Sequence, residues 1–180
     1  MHTYDPVRHV WKYDVGGYAW MNSEEAPDMW LWYSFLRSGR ADVFRMAEAM
    51  TRQTQEVEVY HLGRFAGLGS RHNVRHWGDG SKEVRISQSM LKRFYYYLTT
   101  DERTGDLMHE VVNADFALVE VDPLRKILKP TQYPTHARSG PDWLACAGNW
   151  MTEWERTGDT RWRDKIVTGM KDLAGMPGGL

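Results

Sequence analysis

Cysteine is almost absent. Cys146 is the only one in the chain, which excludes an internal disulfide framework and a cysteine-based zinc site. Charge of one sign is absent as well: 23 Lys and Arg face 24 Asp and Glu, for a formal net charge of -1. No basic field therefore draws the chain to nucleic acid, and no acidic block marks a solvating tail. No apolar run approaches the roughly 18 residues of a membrane span, so no membrane partner is expected. The opening Met1-His2-Thr3-Tyr4-Asp5-Pro6 has no charged stretch followed by an apolar one. A secretory signal is thus not expected, and the compartment stays open. Strand alternation is weak throughout, with Glu56-Val57-Glu58-Val59-Tyr60 the one tempting strand.

What is present points to helices. At 42% hydrophobic the chain can bury a core, and its 180 residues suit one domain of about 100–200 residues. Apolar residues recur at helical spacing in six stretches, which predicts helices near 28–37, 41–60, 83–99, 106–121, 142–156 and 160–174. Punctuation repeats too. Glu102-Arg103-Thr104-Gly105-Asp106 recurs as Glu155-Arg156-Thr157-Gly158-Asp159, and Ser38-Gly39-Arg40 holds the equivalent place earlier. Gly takes the left-handed conformation just past a helix end, and a following Asp can accept from the free N–H groups of the next helix. Gly39, Gly105 and Gly158 are therefore expected at three tight turns between antiparallel helices. The fold class expected is all-α, built of antiparallel helical hairpins.

The other connections, over 1–27, 61–82 and 122–141, are long. Because helix direction alternates, they are expected at the end opposite the tight turns. Loops of this length are usually functional or disordered, and these carry Trp, Tyr, His and Arg. Six of the seven histidines, His2, His9, His61, His72, His76 and His136, lie in them. The densest stretch is Arg71-His72-Asn73-Val74-Arg75-His76-Trp77-Gly78-Asp79. Arg offers a planar fork for a carboxylate, Asn both donors and an acceptor, His a proton carrier near neutrality, and Trp a face for a sugar ring. Such a set could bind an acidic sugar. His136 and Arg138, with Tyr133, would add to it from a segment stiffened by Pro130, Pro134 and Pro141. Two other readings stand beside this one. His72-x-x-x-His76 with Asp79 could ligate a divalent metal, although the flanking glycines argue against the helix that spacing would need. A purely structural loop with Arg–Asp bonds is the other. Gly67-Leu68-Gly69 follows no strand of a βαβ unit and is not a dinucleotide fingerprint. No metal and no cofactor are expected. Nine Trp fit either a core or sugar stacking. Tyr95-Tyr96-Tyr97 should point three ways from one helix, and Cys146 should be a small buried hydrophobe.

The run from Arg71 to Gly80, with Arg85-Ile86-Ser87, Tyr96-Tyr97-Leu98-Thr99 and the earlier Trp11-Lys12-Tyr13-Asp14-x-Gly16-Gly17-Tyr18, resembles the helical toroid domain of exo-rhamnogalacturonan-lyase-like proteins. The resemblance implies an (α/α)6 toroid, of which residues 1–180 would form a single partial domain of about half the helices. It also implies a polysaccharide lyase acting by β-elimination on uronic-acid-containing, pectic glycans. In that reading Arg71, Asn73 and Arg75 neutralise the sugar carboxylate and His72 or His76 takes the proton. Tyr133 protonates the departing oxygen, and Trp77, His136 and Arg138 bind substrate. The partner expected is an acidic oligo- or polysaccharide. A partial toroid would also self-associate through exposed hairpin surface and could be inactive alone. The alternatives are a toroid glycoside hydrolase using two carboxyl groups from among Asp14, Asp79 and Glu83, or a non-catalytic carbohydrate-binding or scaffold fragment.

Overall fold

The computed structural model describes residues 3–7, 9–12, 26–70, 82–86, 88–121, 129–130, 132 and 136–177. Helices dominate: α1 (Pro27–Ser38), α2 (Ala41–Arg52), α3 (Ser89–Thr99), α4 (Glu102–Glu110), α5 (Ala117–Glu120), α6 (Leu144–Thr157) and α7 (Thr160–Ala174). Two antiparallel two-stranded ladders accompany them. One joins β1 (Thr3–Asp5) to β2 (Val10–Lys12), the other β3 (Gly69–Ser70) to β4 (Lys82–Glu83). The fold is all-α with these short ladders attached.

Three turns of two residues make the hairpins, and they share one chemistry. Gly39, Thr100 and Gly158 are left-handed, at φ 65°, 56° and 73°, and each donates its N–H to the carbonyl four residues back, at 2.7–2.8 Å. The residue before each carries a hydroxyl. Ser38, Thr99 and Thr157 donate it to the carbonyl four residues back, at 2.7 Å in each case. The same oxygen accepts the N–H two residues on, from Arg40, Asp101 and Asp159, at 3.2–3.3 Å. One side chain thus adds a second donor to a late helical carbonyl and accepts an early N–H of the next helix, which has no partner within its own helix. In the second and third turns Asp101 and Asp159 also cap the following helix.

The second turn is not where the repeated pentapeptide suggests. Gly105 lies inside α4, because Asp101 already caps that helix by accepting from the Thr104 N–H and hydroxyl at 2.8 and 2.7 Å. The two copies therefore do different work: Glu102–Asp106 opens a helix, whereas Glu155–Asp159 closes one. Gly105 is required for space, since a Cβ there would lie 2.8 Å from Tyr96 Cε2 and 2.9 Å from Arg156 Nη1.

Side-chain contacts fix the helix directions. Along α1 and α2, Asp28 meets Thr54 just past α2, Trp32 meets Thr51 and Phe35 meets Phe44, so the pair is antiparallel. Asp28 meets Lys92 and Tyr33 meets Phe94, so α1 and α3 run parallel. Ser89 meets Asn149 and Arg93 meets Glu155, so α6 joins the same layer. Helices α4 and α7 return antiparallel to α6, through His109–Glu153 and Trp150–Val112 on one side and Lys165–Trp150 on the other. Gly39, Thr100 and Gly158 thus share one end, and the described parts of the second and third long connections lie at the other, as the alternation predicts.

Several boundaries shift from the sequence expectation. The helix expected over 83–99 begins only at Ser89, because 82–86 is strand and a 3-10 turn. Its cap is borrowed: Asn149 of α6 accepts from the Ser89 N–H at 2.8 Å and hydroxyl at 3.1 Å. The stretch expected over 106–121 starts at Glu102 and passes through a 3-10 segment, Val111–Phe116, before α5. After Arg52, α2 loosens into a π turn, Gln53–Val57. The tempting strand survives only at its end: Val59 bridges Gly69, and Tyr60 exchanges backbone bonds with Gly67 and Leu68.

Two cores hold the layers. Trp32, fully buried, stacks on Tyr95 at 5.9 Å between centroids and meets Phe44 edge-on at 5.5 Å. The other core gathers Leu68, Val84, Val112, Cys146, Trp150 and Trp162. Beside the first, Lys92 donates to Asp28 at 2.6 Å and to Thr54, all three essentially without solvent exposure. A buried charge survives only when paired in this way. The tyrosine run divides as expected: Tyr95 is buried, Tyr96 lies under Arg156, and Tyr97 is exposed.

Replacing Gly158 by Ala should cost about 1 kcal/mol, the penalty of a left-handed residue with a Cβ. Gly105→Ala should cost about 1–3 kcal/mol through overpacking. Urea unfolding of both in a Tyr96→Leu background separates the causes: the Gly105 penalty should shrink there and the Gly158 penalty should persist.

Candidate functional site at the long-connection end

The histidine- and arginine-rich stretch is carried on a ladder. Gly69 pairs with Glu83 and Ser70 with Lys82, so the residues that flank 71–81 lie side by side. Glycine is needed on the outgoing side. At Gly69 a Cβ would overlap Ile86 at 2.3 Å, and Gly67, at φ 83°, faces the Glu110 carbonyl and Ala114. These close approaches account for the Gly67-Leu68-Gly69 pattern.

At the base of the ladder sits a buried ionic junction. Glu83 and Asp142 expose only 2% and 5% of their side chains. Arg85 Nε lies 2.6 Å from Glu83 Oε2. Arg138 reaches Asp142 through a fork, Nε to Oδ2 at 3.0 Å and Nη2 to Oδ1 at 2.9 Å, and its backbone N–H donates to Oδ2 at 2.9 Å. The same Nη2 stands 3.8 Å from Glu83 Oε2. Two guanidiniums are balanced by two carboxylates, so the junction is neutral, and the Arg138 fork is committed to Asp142.

Of the residues expected to form the site, His136 and Arg138 are described. His136 donates Nε2–H to the Lys129 carbonyl at 3.0 Å, which braces its segment. Arg71, His72, Asn73, Arg75, His76, Trp77 and Tyr133 lie outside the described residues, as do Asp14 and Asp79. Glu83, a candidate hydrolase carboxylate, is engaged by Arg85 and approached by Arg138. Asp142 and Asn149 were not singled out from sequence. The i, i+4 spacing of Arg138 and Asp142 is a legible signal for the first. Nothing local marks the second, whose partner is 60 residues away.

His61 shows how histidines are held at this end. Its Nδ1 lies 2.9 Å from both Glu110 carboxylate oxygens and its Nε2 lies 3.0 Å from the Glu56 carbonyl. Two acceptors around one ring favour the doubly protonated form. Burial opposes that charge, but the Glu110 and Glu56 bonds outweigh it and the His61 pKa is raised. Cys146 is the opposite case: burial first, then Asp115 and Asp142, push its thiol up to about 12, which makes it inert as a nucleophile. Among the described residues, no group of three His, Cys, Asp or Glu is placed to hold a metal ion, and no helix is long and apolar enough to cross a membrane.

Residues 1–180 match the family model of the PcRGLX-like protein C-terminal alpha/alpha toroid domain. The chain belongs to this family. The match agrees with the resemblance carried by the Arg71–Gly80 run and with the layered hairpins. Among relatives, this toroid chain is 60% identical over 177 residues to "Uncharacterized protein YetA" of Bacillus subtilis (strain 168). The alignment covers 98% of the chain and 21% of YetA, so the toroid residues here span about a fifth of that relative's length.

The raised His61 pKa has a signed consequence. The stability that the His61–Glu110 pair adds is fully present below the ordinary histidine value of about 6.5 and is lost as pH rises through the higher folded value. Urea unfolding should therefore find wild type and Glu110→Gln furthest apart near pH ~5.5 and closer by pH ~8.5. A gap that widens with pH would contradict the assignment.

Proposed function

We propose that this toroid domain belongs to a polysaccharide lyase acting by β-elimination on uronic-acid-containing, pectic glycans of the rhamnogalacturonan type. The observation that carries the reading is the ladder. It sets Ser70 and Lys82, which flank the densest cluster of Arg, His and Asn in the sequence, side by side at the long-connection end, and the next residue, Glu83, lies 3.8 Å from Arg138.

Elimination requires that the uronate carboxylate be neutralised, which acidifies the adjacent C–H. A base must take that proton, and an acid must protonate the departing glycosidic oxygen. Arg85 and Arg138 are balanced by Glu83 and Asp142, so the cationic donors for substrate fall to Arg71 and Arg75, with Asn73. His72 or His76 is the base and Tyr133 the acid. Trp77 offers a stacking face, while His136 and Arg138 line the approach. The committed carboxylate of Glu83 favours elimination over a hydrolase built on that residue. The partner is an acidic oligo- or polysaccharide. Apolar side chains left exposed on the parallel layer, including Trp30, Tyr33, Leu144 and Met151, support an association surface there.

The test uses the full-length protein on rhamnogalacturonan and polygalacturonate, following the ultraviolet absorbance of the conjugated double bond that elimination creates and hydrolysis does not. Loss of the base should lower kcat roughly 10²–10⁴-fold, so one of His72→Ala and His76→Ala should fall far more than the other. Arg75→Lys, which keeps charge but loses the planar fork, should weaken turnover of acidic substrate more than binding of a neutral analogue. New reducing ends without ultraviolet absorbance would replace the lyase by a hydrolase, and Asp79→Asn would then be the variant that abolishes turnover.

A further inference from the structure

A groove of about 660 Å³ runs along α7, between that helix and the side chains of Leu118 and Trp143. Its volume is within the range of about 300–1,000 Å³ of small-molecule sites. Helical spacing builds one wall: Lys165, Thr168, Asp172 and Met176 lie three or four residues apart on one side of α7. The indole of Trp143, from the turn that opens α6, rests against that helix. Gly169 admits it, since a Cβ there would lie 2.5 Å from Trp143 Nε1 and 3.0 Å from Cε2 and Cζ2. Trp143 stands at the start of α6 and Leu173 near the end of α7, so this part of the groove lies at the long-connection end.

The cations of the groove are engaged. Arg161 pairs with Asp159 at 2.6 Å, and Lys165 pairs with Asp115 at 2.7 Å while its ammonium covers the Trp150 ring at 4.9 Å. Asp164 is engaged as well, by Arg163 at 2.6 Å. Three groups have no side-chain partner among the described residues: the Trp143 indole N–H, the Thr168 hydroxyl and the Asp172 carboxylate. They supply a donor, a group that does both, and an acceptor. A uronate would bring its carboxylate to Asp172 with no uncommitted cation to offset the repulsion. A neutral sugar suits all three, because its hydroxyls donate and accept and its C–H face can lie on the indole.

We infer that this groove is a second sugar site, one that takes a neutral residue of the deoxyhexose kind and rejects a uronate. The choice of a sugar rests on the lyase reading, whereas the preference for a neutral one comes from the groove itself. A rhamnogalacturonan chain carries both kinds of residue. The methyl group of a deoxyhexose also finds apolar surface at Leu118 and Leu173.

Amide and indole N–H spectra of the 180-residue chain test this, with methyl α-L-rhamnoside as the probe. Binding should be weak, with a millimolar Kd, and should move the Trp143 indole signal and the amides of 168–173. The methyl glycoside of galacturonic acid at the same concentration should move neither. Thr168→Val removes the hydroxyl at nearly constant shape and should weaken rhamnoside binding about fivefold, the worth of one hydrogen bond. Asp172→Asn keeps an acceptor and removes the charge. It should leave rhamnoside binding within about twofold and let the galacturonide move the same signals. Both positions are exposed on α7, so neither variant threatens the fold. Unmoved signals with rhamnoside, or equal movement with the galacturonide on the wild type, would overturn the inference. So would movement of these signals on raising protein concentration without sugar, which would make the groove a contact between copies. In the full-length protein Thr168→Val should weaken rhamnoside binding by the same factor, and no difference there would mean that another helix covers the groove. None of these readouts uses elimination. A failed lyase assay therefore leaves a rhamnoside result standing, and failed rhamnoside binding leaves the lyase assay to decide its own question.

Discussion

A turn of two residues gives a helix no choice but to run back along the one before it. Everything else in this chain follows from having three such turns. At each one a left-handed residue closes the outgoing helix and the preceding hydroxyl ties it to the incoming one. With direction set three times in the same way, α1, α3 and α6 become a parallel layer and α2, α4 and α7 return beside them. The described parts of the second and third long connections are then gathered at one end, and function can collect there.

The layers are tied by polar links as well as by apolar contact. Lys92 of α3 joins Asp28 of α1 and Thr54 beyond α2 in a site without solvent. Asn149 of α6 supplies the cap that α3 lacks. A half-satisfied buried network is worse than an apolar one, so such links specify which helix faces which more than they add to stability. The Glu83, Arg85, Arg138 and Asp142 junction does the same for β4 and the turn that opens α6.

The helices were legible because apolar spacing is a local property, and so was the segregation of long and short connections. The pentapeptide repeat misled at Gly105 because one sequence can open a helix as readily as it closes another. Asp101 decides the matter by capping five residues earlier than the repeat suggests. The helix expected from residue 83 begins at Ser89, because the ladder extends through Glu83 and the cap comes from 60 residues away, a pairing that only tertiary structure reveals. The described tryptophans show the core reading for most of their bulk, with one exception. Trp32, Trp150 and Trp162 are core, whereas Trp30 is more than half exposed. The i, i+4 spacing of Arg138 and Asp142 hints at their pairing, but the π turn over Ser139–Trp143 that brings the two together is not written in that spacing.

The central claim is that ligand chemistry belongs to the end where the long connections meet. Backbone amide chemical shifts, followed while galacturonic acid trimer is titrated into the labelled chain, test it most directly. The account predicts perturbations concentrated in residues 61–88 and 129–143, with Gly39, Thr100 and Gly158 unmoved. Perturbations centred on those three turns would contradict it.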